Sequence, residues 1–286
     1  MTQFRMRWNA WYWMRCVAFV VTVPWSILCI LCSTAIHPAY RMSWRRKFSL
    51  GLRMFWNTLW IPTASSWKVH LAMALKLLEL SPDVPGVVVE CGTWKGGSAA
   101  NLSLVCRLTG RRLLVFDSFE GLPAGTPGDR EAVHYHRGDY RGSLEEVRRT
   151  VAHAGAPECC QFIPGWFEET LPTLRDPVAL AWLDVDLERS LETCVRWIWP
   201  RLSESGFLFI DECVNLTYAS LFWSERWWQT HFHRPPPGLV GTGTGVALGD
   251  YYLGPLEARA QHPLQHPGSG AWTTKSMAAW WPSAAP

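Results

Sequence analysis

Two carboxylates one residue apart, Asp184 and Asp186, follow an apolar run in the stretch ALAWLDVDLERS. Acids at that spacing do not continue a core strand. They fit a strand end that has reached water, the N-terminus of a helix, or an ion site. Other acids stand in similar places. Glu90 closes the run Val87–Val89, Asp117 closes Leu113–Phe116, and Asp211 closes Phe207–Ile210. With Gln161–Ile163 read as a further strand, four of five strands end on a carboxylate. Ligands of open α/β sheets bind outside the carboxyl ends of the strands, where the strand order reverses. The pair in LDVDLERS therefore belongs to a set of acids at one rim.

After the first strand comes Glu90-Cys91-Gly92-Thr93-Trp94-Lys95-Gly96-Gly97-Ser98. Glycines at a strand-to-helix turn let the backbone approach a ligand. The dinucleotide spacing G-x-G-x-x-G is absent, which argues against NAD. Glu90 would repel a pyrophosphate but could hold an ammonium group. Asp117 sits where a strand-end acid bonds ribose hydroxyls. Together these residues favour an adenosine ligand that carries an amino acid. Among the histidines, His134, His136, His231 and His233 lie in candidate loops and read as surface residues, so no general base is assigned. Trp223, Trp227, Trp228, Phe232, Tyr251 and Tyr252 could stack on a sugar ring, but aromatics at helical spacing are more often core.

The elements that must position these groups alternate. Trp67–Leu80 reads as a helix, Ser98–Leu108 as a second after the glycine loop, and Ser190–Trp199 as one ended by Pro200. Ser143-Leu144-Glu145-Glu146 has the form of a capping box, for a helix stopping at Gly155. Near-continuous apolar strands imply a sheet covered on both faces. Strands alternating with helices imply right-handed crossovers. The fold class expected is α/β: a Rossmann-like, doubly wound, mostly parallel sheet with an N-terminal helical extension. Three regions follow: a basic, Trp-rich helical arm over 1–63, a catalytic domain over 64–260, and a flexible tail over 261–286.

Charge is divided unevenly along the 286 residues. The first 78 hold ten basic residues and no acid, whereas the rest holds 17 basic against 24 acidic. The net-acidic catalytic part excludes nucleic acid as the expected partner, because phosphate binding needs a basic footprint there. Cys16–Ile36 is an uncharged run long enough to cross a bilayer. Arg41–Leu59 carries Trp44, Phe48, Leu52, Phe55 and Leu59 at helical spacing among basic residues, which suits anionic lipid. Residues 1–60 thus offer a membrane contact, or equally a helical subdomain packed on its neighbour or on a second subunit. The nine cysteines follow no disulfide or zinc framework and read as reduced thiols of a cytoplasmic chain.

The blocks ECGTWKGGSA, FDSFEGLP, GDYRGSLEEV, IPGWFEETLP, LDVDLERS and FIDE, in this order, resemble the macrocin-type (TylF/MycF) O-methyltransferases over about Ser66–Asp250. The resemblance implies a class I methyltransferase using S-adenosylmethionine and Mg²⁺ or another divalent cation on a hydroxyl of a sugar, glycan or natural product. It implies cofactor contacts from Glu90, Gly92, Thr93, Gly96, Gly97, Asp117, Ser118 and Trp166. It implies metal ligands Asp184, Asp211 and Glu212, with Asp186 behind them or capping the helix from Ser190. The chain departs from the family at Asp211-Glu212, where Asp-Asp is usual, at Glu188 in place of Tyr, and at Ser205-Gly206 in place of a glycine pair. A degenerate, membrane-associated scaffold is the competing reading. N-terminal helices of such enzymes often mediate homo-oligomers.

Overall fold

The computed structural model describes residues 23–124, 135–211, 216–241, 251–253 and 270–275. Five strands run parallel: β1 (Val87–Cys91), β2 (Leu113–Asp117), β3 (Cys160–Pro164), β4 (Val178–Leu183) and β5 (Leu202–Ile210). Three short antiparallel strands, β6 (Leu239–Gly241), β7 (Tyr251–Leu253) and β8 (Ala271–Thr273), extend the sheet beyond β5. The strand order is β3-β2-β1-β4-β5-β8-β6-β7. It reverses between β1 and β4, which is where a doubly wound sheet opens its crevice.

Successive strand residues face opposite sides, and both sides are covered. Val87, Val89 and Cys91 join one core with Leu114, Phe116 and Ile210, while Val88 joins the other with Leu113, Val115 and Phe209. The second core is closed by α1 (23–32), α2 (Trp44–Trp60), α3 (Trp67–Glu79), α4 (Gly97–Thr109) and α5 (Leu144–Ala154). The first is closed by α6 (Phe167–Thr170), α7 (Glu188–Ile198), α8 (Leu216–Ala219) and α9 (Glu225–Phe232). Strands buried on both faces need no polar alternation, which is why the sequence shows them as apolar runs.

Of the apolar stripe on α2, Trp44, Phe48, Leu52 and Leu59 are exposed and Phe55 is partly buried, while the helix packs inward through Leu50, Met54 and Asn57. Several expectations are corrected. Helix α7 begins two residues before Ser190; its N-cap is Leu187 with no side-chain cap, so Asp186 does not cap it. Ser143 Oγ does cap α5 by accepting the Glu146 N–H, but the Glu146 carboxylate turns to Lys95 Nζ at 2.8 Å rather than back to Ser143. An ion pair that ties the glycine loop to α5 competes successfully for that side chain. Within the expected tail, Ala271–Thr273 forms β8 between β5 and β6, and Trp272 packs edge-on against Phe207; the remainder, 261–269 and 276–286, lies outside the described residues. Of the apolar run Cys16–Ile36, residues 16–22 also lie outside them. Among the described residues no helix is long and apolar enough to cross a membrane, and seven cysteines are free thiols.

The aromatics weighed as acceptor contacts fall largely into the core. Trp228 is fully buried, edge-on to Trp199 at 4.7 Å, and Trp223, Trp227 and Phe232 pack against the same cluster.

Candidate functional site

The carboxyl ends of β2, β1, β4 and β5 are stitched side by side at the rim. Gly92 N–H donates to Phe116 O, Asp184 N–H to Cys91 O, and Asp211 N–H to Leu183 O, each at 3.0 Å. These bonds carry the sheet ladder one residue past the strands, so Gly92, Asp184 and Asp211 stand in one row. Gly92 has φ +81°, and a Cβ there would lie 1.9 Å from Asp184 O. Only glycine allows both the left-handed turn and that approach. Gly92→Ala should therefore lower stability by about 3 kcal/mol or more, measured by denaturant unfolding; a loss under about 1 kcal/mol would refute the crowding.

A cavity of about 290 Å³ opens above this row. Of the residues expected to serve the cofactor, Gly92, Thr93, Asp117, Ser118 and Trp166 line it, and Asp184 lines it from the expected metal set. Glu90, Gly96, Gly97 and Asp211 do not. Glu212 and His134 lie outside the described residues. Gly96, at φ +82°, is the N-cap of α4, and a Cβ on it would press on Val147 of α5. Its role is to let the loop turn and pack.

Asp117 is held rigidly. Its Oδ2 accepts the Thr93 N–H at 2.8 Å and its Oδ1 the Phe119 N–H at 2.7 Å. Burial raises its pKa, and these backbone bonds oppose the rise. Each oxygen keeps a second lone pair for a ligand hydroxyl. Ser118 Oγ donates to Gly121 O at 3.0 Å, bracing the turn that follows.

Glu90 lies beneath the cavity floor. It shares the parity of Val88, so it points toward α4, where Ser98 Oγ hydrogen-bonds its Oε1. It is fully buried, and its Oε2 has no hydrogen-bond partner among the described residues. Burial pushes its pKa up to about 8, with repulsion from Asp117 adding and the Ser98 bond opposing. Ser98 itself lines the cavity. It is the link between Glu90 and any ligand, and it was visible in the sequence only as the eighth residue after Glu90.

Asp211 is buried, and its Oδ1 has no hydrogen-bond partner among the described residues. Its pKa rises to about 7, first through burial and then through repulsion from Asp186. Asp186, with φ +55°, thus turns its charge toward Asp211 and also lines the cavity. Asp184 and Asp186 are both partly exposed. Among the described residues no group of three His, Cys, Asp or Glu side chains is set as a metal site. The cavity also takes Thr63, Ala64 and Tyr140 as walls. Thr63 falls before the expected start of the catalytic domain, so the two regions share the site.

Strand order, helices on both faces and a crevice at the carboxyl rim define a class I methyltransferase fold. The solved structure of the O-methyltransferase NovP has that fold, with a TM-score of 0.55 and 22% identity over 90% of this chain and 99% of that one. The calicheamicin methyltransferase CalS11 is similar at a TM-score of 0.50 and 17% identity, over 89% of this chain and 91% of that one. Residues 70–233 match the macrocin-O-methyltransferase (TylF) family, and the chain belongs to it. A tetracenomycin-C rhamnosyl 4'-O-methyltransferase of Streptomyces olivaceus is 40% identical over 162 residues, and the demethyldecarbamoylnovobiocin O-methyltransferase of Streptomyces niveus is 33% identical over 162. Each match covers 50% of this chain and 62% of the relative, less than two thirds of either relative's length.

Proposed function

We propose that the chain is an S-adenosylmethionine-dependent O-methyltransferase, assisted by a divalent cation, acting on a hydroxyl of a sugar, glycan or natural product. The observation that carries this reading is the row of rim acids: Asp117 facing the cavity with lone pairs to spare, and Asp211 buried, with no partner on Oδ1 among the described residues and opposed by Asp186. The O-methyltransferases of a rhamnosyl tetracenomycin and of a novobiocin precursor among its relatives support the choice of acceptor.

The side chains at the rim are of the kinds that a methyl donor and a hard cation need. Asp117 and Ser118 would hold ribose hydroxyls, Thr93 and Ser98 the amino-acid end, and Trp166 the flat base. Asp184, Asp211 and Glu212 would hold the cation, with Asp186 as a further oxygen donor. An all-oxygen set suits Mg²⁺ or a similar hard ion. A buried carboxylate that lacks a partner and faces a second acid is costly unless a cation neutralises it. When bound, the donor supplies an electrophilic methyl on a sulfonium, and the cation supplies Lewis acidity that lowers the pKa of an acceptor hydroxyl.

The chain's own part is positional. The ladder bonds at Gly92, Asp184 and Asp211 hold the donor loop and the acidic row in fixed register, so the reacting groups need not be ordered at each turnover. Lys95–Glu146 clamps the donor loop to α5. A scaffold without turnover would gain nothing from burying the Asp211 carboxylate beside Asp186. Calorimetry with S-adenosylmethionine, with and without Mg²⁺, tests the proposal: donor binding is expected in both, with Mg²⁺ heat only in protein carrying Asp211. No donor binding in either condition would remove it.

A further inference from the structure

Helix α2 is apolar on two opposite sides. One side is seated in the protein: Leu50 and Met54 are buried, and Asn57 Nδ2 donates to Asn101 Oδ1 at 2.9 Å and to Ala154 O at 3.1 Å. The other carries Trp44, Phe48, Leu52, Trp56, Leu59 and Trp60, all exposed, Trp44 by 65% and Trp60 by 72%. Trp25 and Leu28 of α1 are exposed as well. Apolar exposure concentrated in this way on one helix marks a surface that is covered in use.

Charge identifies what covers it. Arg45, Arg46 and Arg53 are exposed on the same helix, and no acid occurs before Glu79. A second copy seated by two-fold symmetry would bring this arginine-studded surface against itself, with no carboxylate of the arm to neutralise it. A bilayer with anionic headgroups offers both an apolar layer and negative charge. Tryptophans and arginines around an apolar stripe are the composition of a helix lying in that interface. With 17 residues and four basic side chains, α2 lies on a membrane rather than crossing it.

We infer that the exposed face of α2 docks the protein on an anionic membrane surface. The Asn57 bonds couple α2 to α4 and α5, and α2 leads through Ile61 and Pro62 into Thr63 and Ala64 of the cavity wall. Docking thus sets that wall beside the headgroups. If the methyl-transfer reading above holds, the acceptor class this favours is a hydroxyl carried by a membrane lipid; the docking itself is tested without it.

The full chain is co-sedimented with phosphatidylcholine vesicles with and without phosphatidylglycerol. Binding is expected with the anionic lipid and is expected to weaken with added salt. Phe48→Ser, Leu52→Ser and Trp56→Ser combined should weaken it about tenfold or more. Arg45→Gln with Arg53→Gln, which spares the apolar face and so keeps the test valid should the triple variant misfold, should weaken it about tenfold. Vesicle binding that neither variant changes would overturn the inference. So would no vesicle binding together with a dimer, seen by sedimentation equilibrium, that the same substitutions dissociate.

Discussion

Asp211→Asn is expected to reduce methyl transfer on the order of 10³-fold while making the unliganded protein more stable. Both effects come from one geometry. The Asp211 carboxylate is buried at the end of β5, lacks a partner on Oδ1 among the described residues, and is repelled by Asp186. Its folded pKa of about 7 stands above the ordinary 3.8. The folded chain therefore holds a proton that the unfolded chain has already lost between those values. Stability from this group is full below about pH 4 and is lost as pH rises through about 7. At pH 8 the asparagine variant should gain up to roughly 4 kcal/mol in denaturant unfolding. Mg²⁺ should raise the melting temperature of the wild type at pH 8 and leave the variant unchanged, a readout that does not depend on turnover. An asparagine variant that keeps its rate, or that is less stable than wild type at pH 8 and still responds to Mg²⁺, would refute the assignment.

The central strands were legible because each is buried on both faces and so appears as an apolar run; Ala179–Leu183 differs from β4 by one residue. The rim of acids was legible for the same reason, since a carboxylate ends such a run. What the pattern could not give was direction. Asp184 and Asp186 are equivalent in sequence, and the left-handed backbone at Asp186 decides which one Asp211 feels. Glu90 reads as the last residue of its strand, but β1 continues to Cys91, which encloses Glu90 under α4 instead of exposing it to a ligand.

The arm shows a second limit. Two series on α2 have helical spacing. The apolar one, from Trp44 to Leu59, suits lipid or a packed neighbour alike, while the inward side contains Asn57, a residue that alone suggests solvent. Its amide is satisfied by Asn101 and by Ala154 O, residues 44 and 97 positions away. No local pattern carries that information. Strand β8 is illegible for the same kind of reason. Three residues in a stretch rich in proline, glycine and serine become a strand only through pairing with β5 and β6.

Glu90→Gln is expected to flatten the other large pH dependence and to remove a proton from donor binding. Burial lifts the folded pKa of Glu90 to about 8 from 4.5. The folded state is thus favoured below about pH 4.5, and that advantage is lost as pH rises toward 8, at up to about 1.4 kcal/mol per pH unit. Denaturant unfolding of wild type and variant should agree near pH 4.5 and diverge to roughly 4 kcal/mol at pH 8, the glutamine form being the more stable. Curves that stay parallel would show that Glu90 ionises freely in the folded chain. The same buried acid meets the cavity through Ser98. An ammonium group settling at Ser98 favours the ionised form of Glu90, so S-adenosylmethionine binding at pH 7 should release up to one proton. Calorimetry in two buffers of different ionisation enthalpy counts it. The glutamine variant should release none and bind about tenfold more weakly. A wild type that releases no proton would place the ammonium away from Ser98, and the reason for a carboxylate under the donor loop would have to be sought in folding alone.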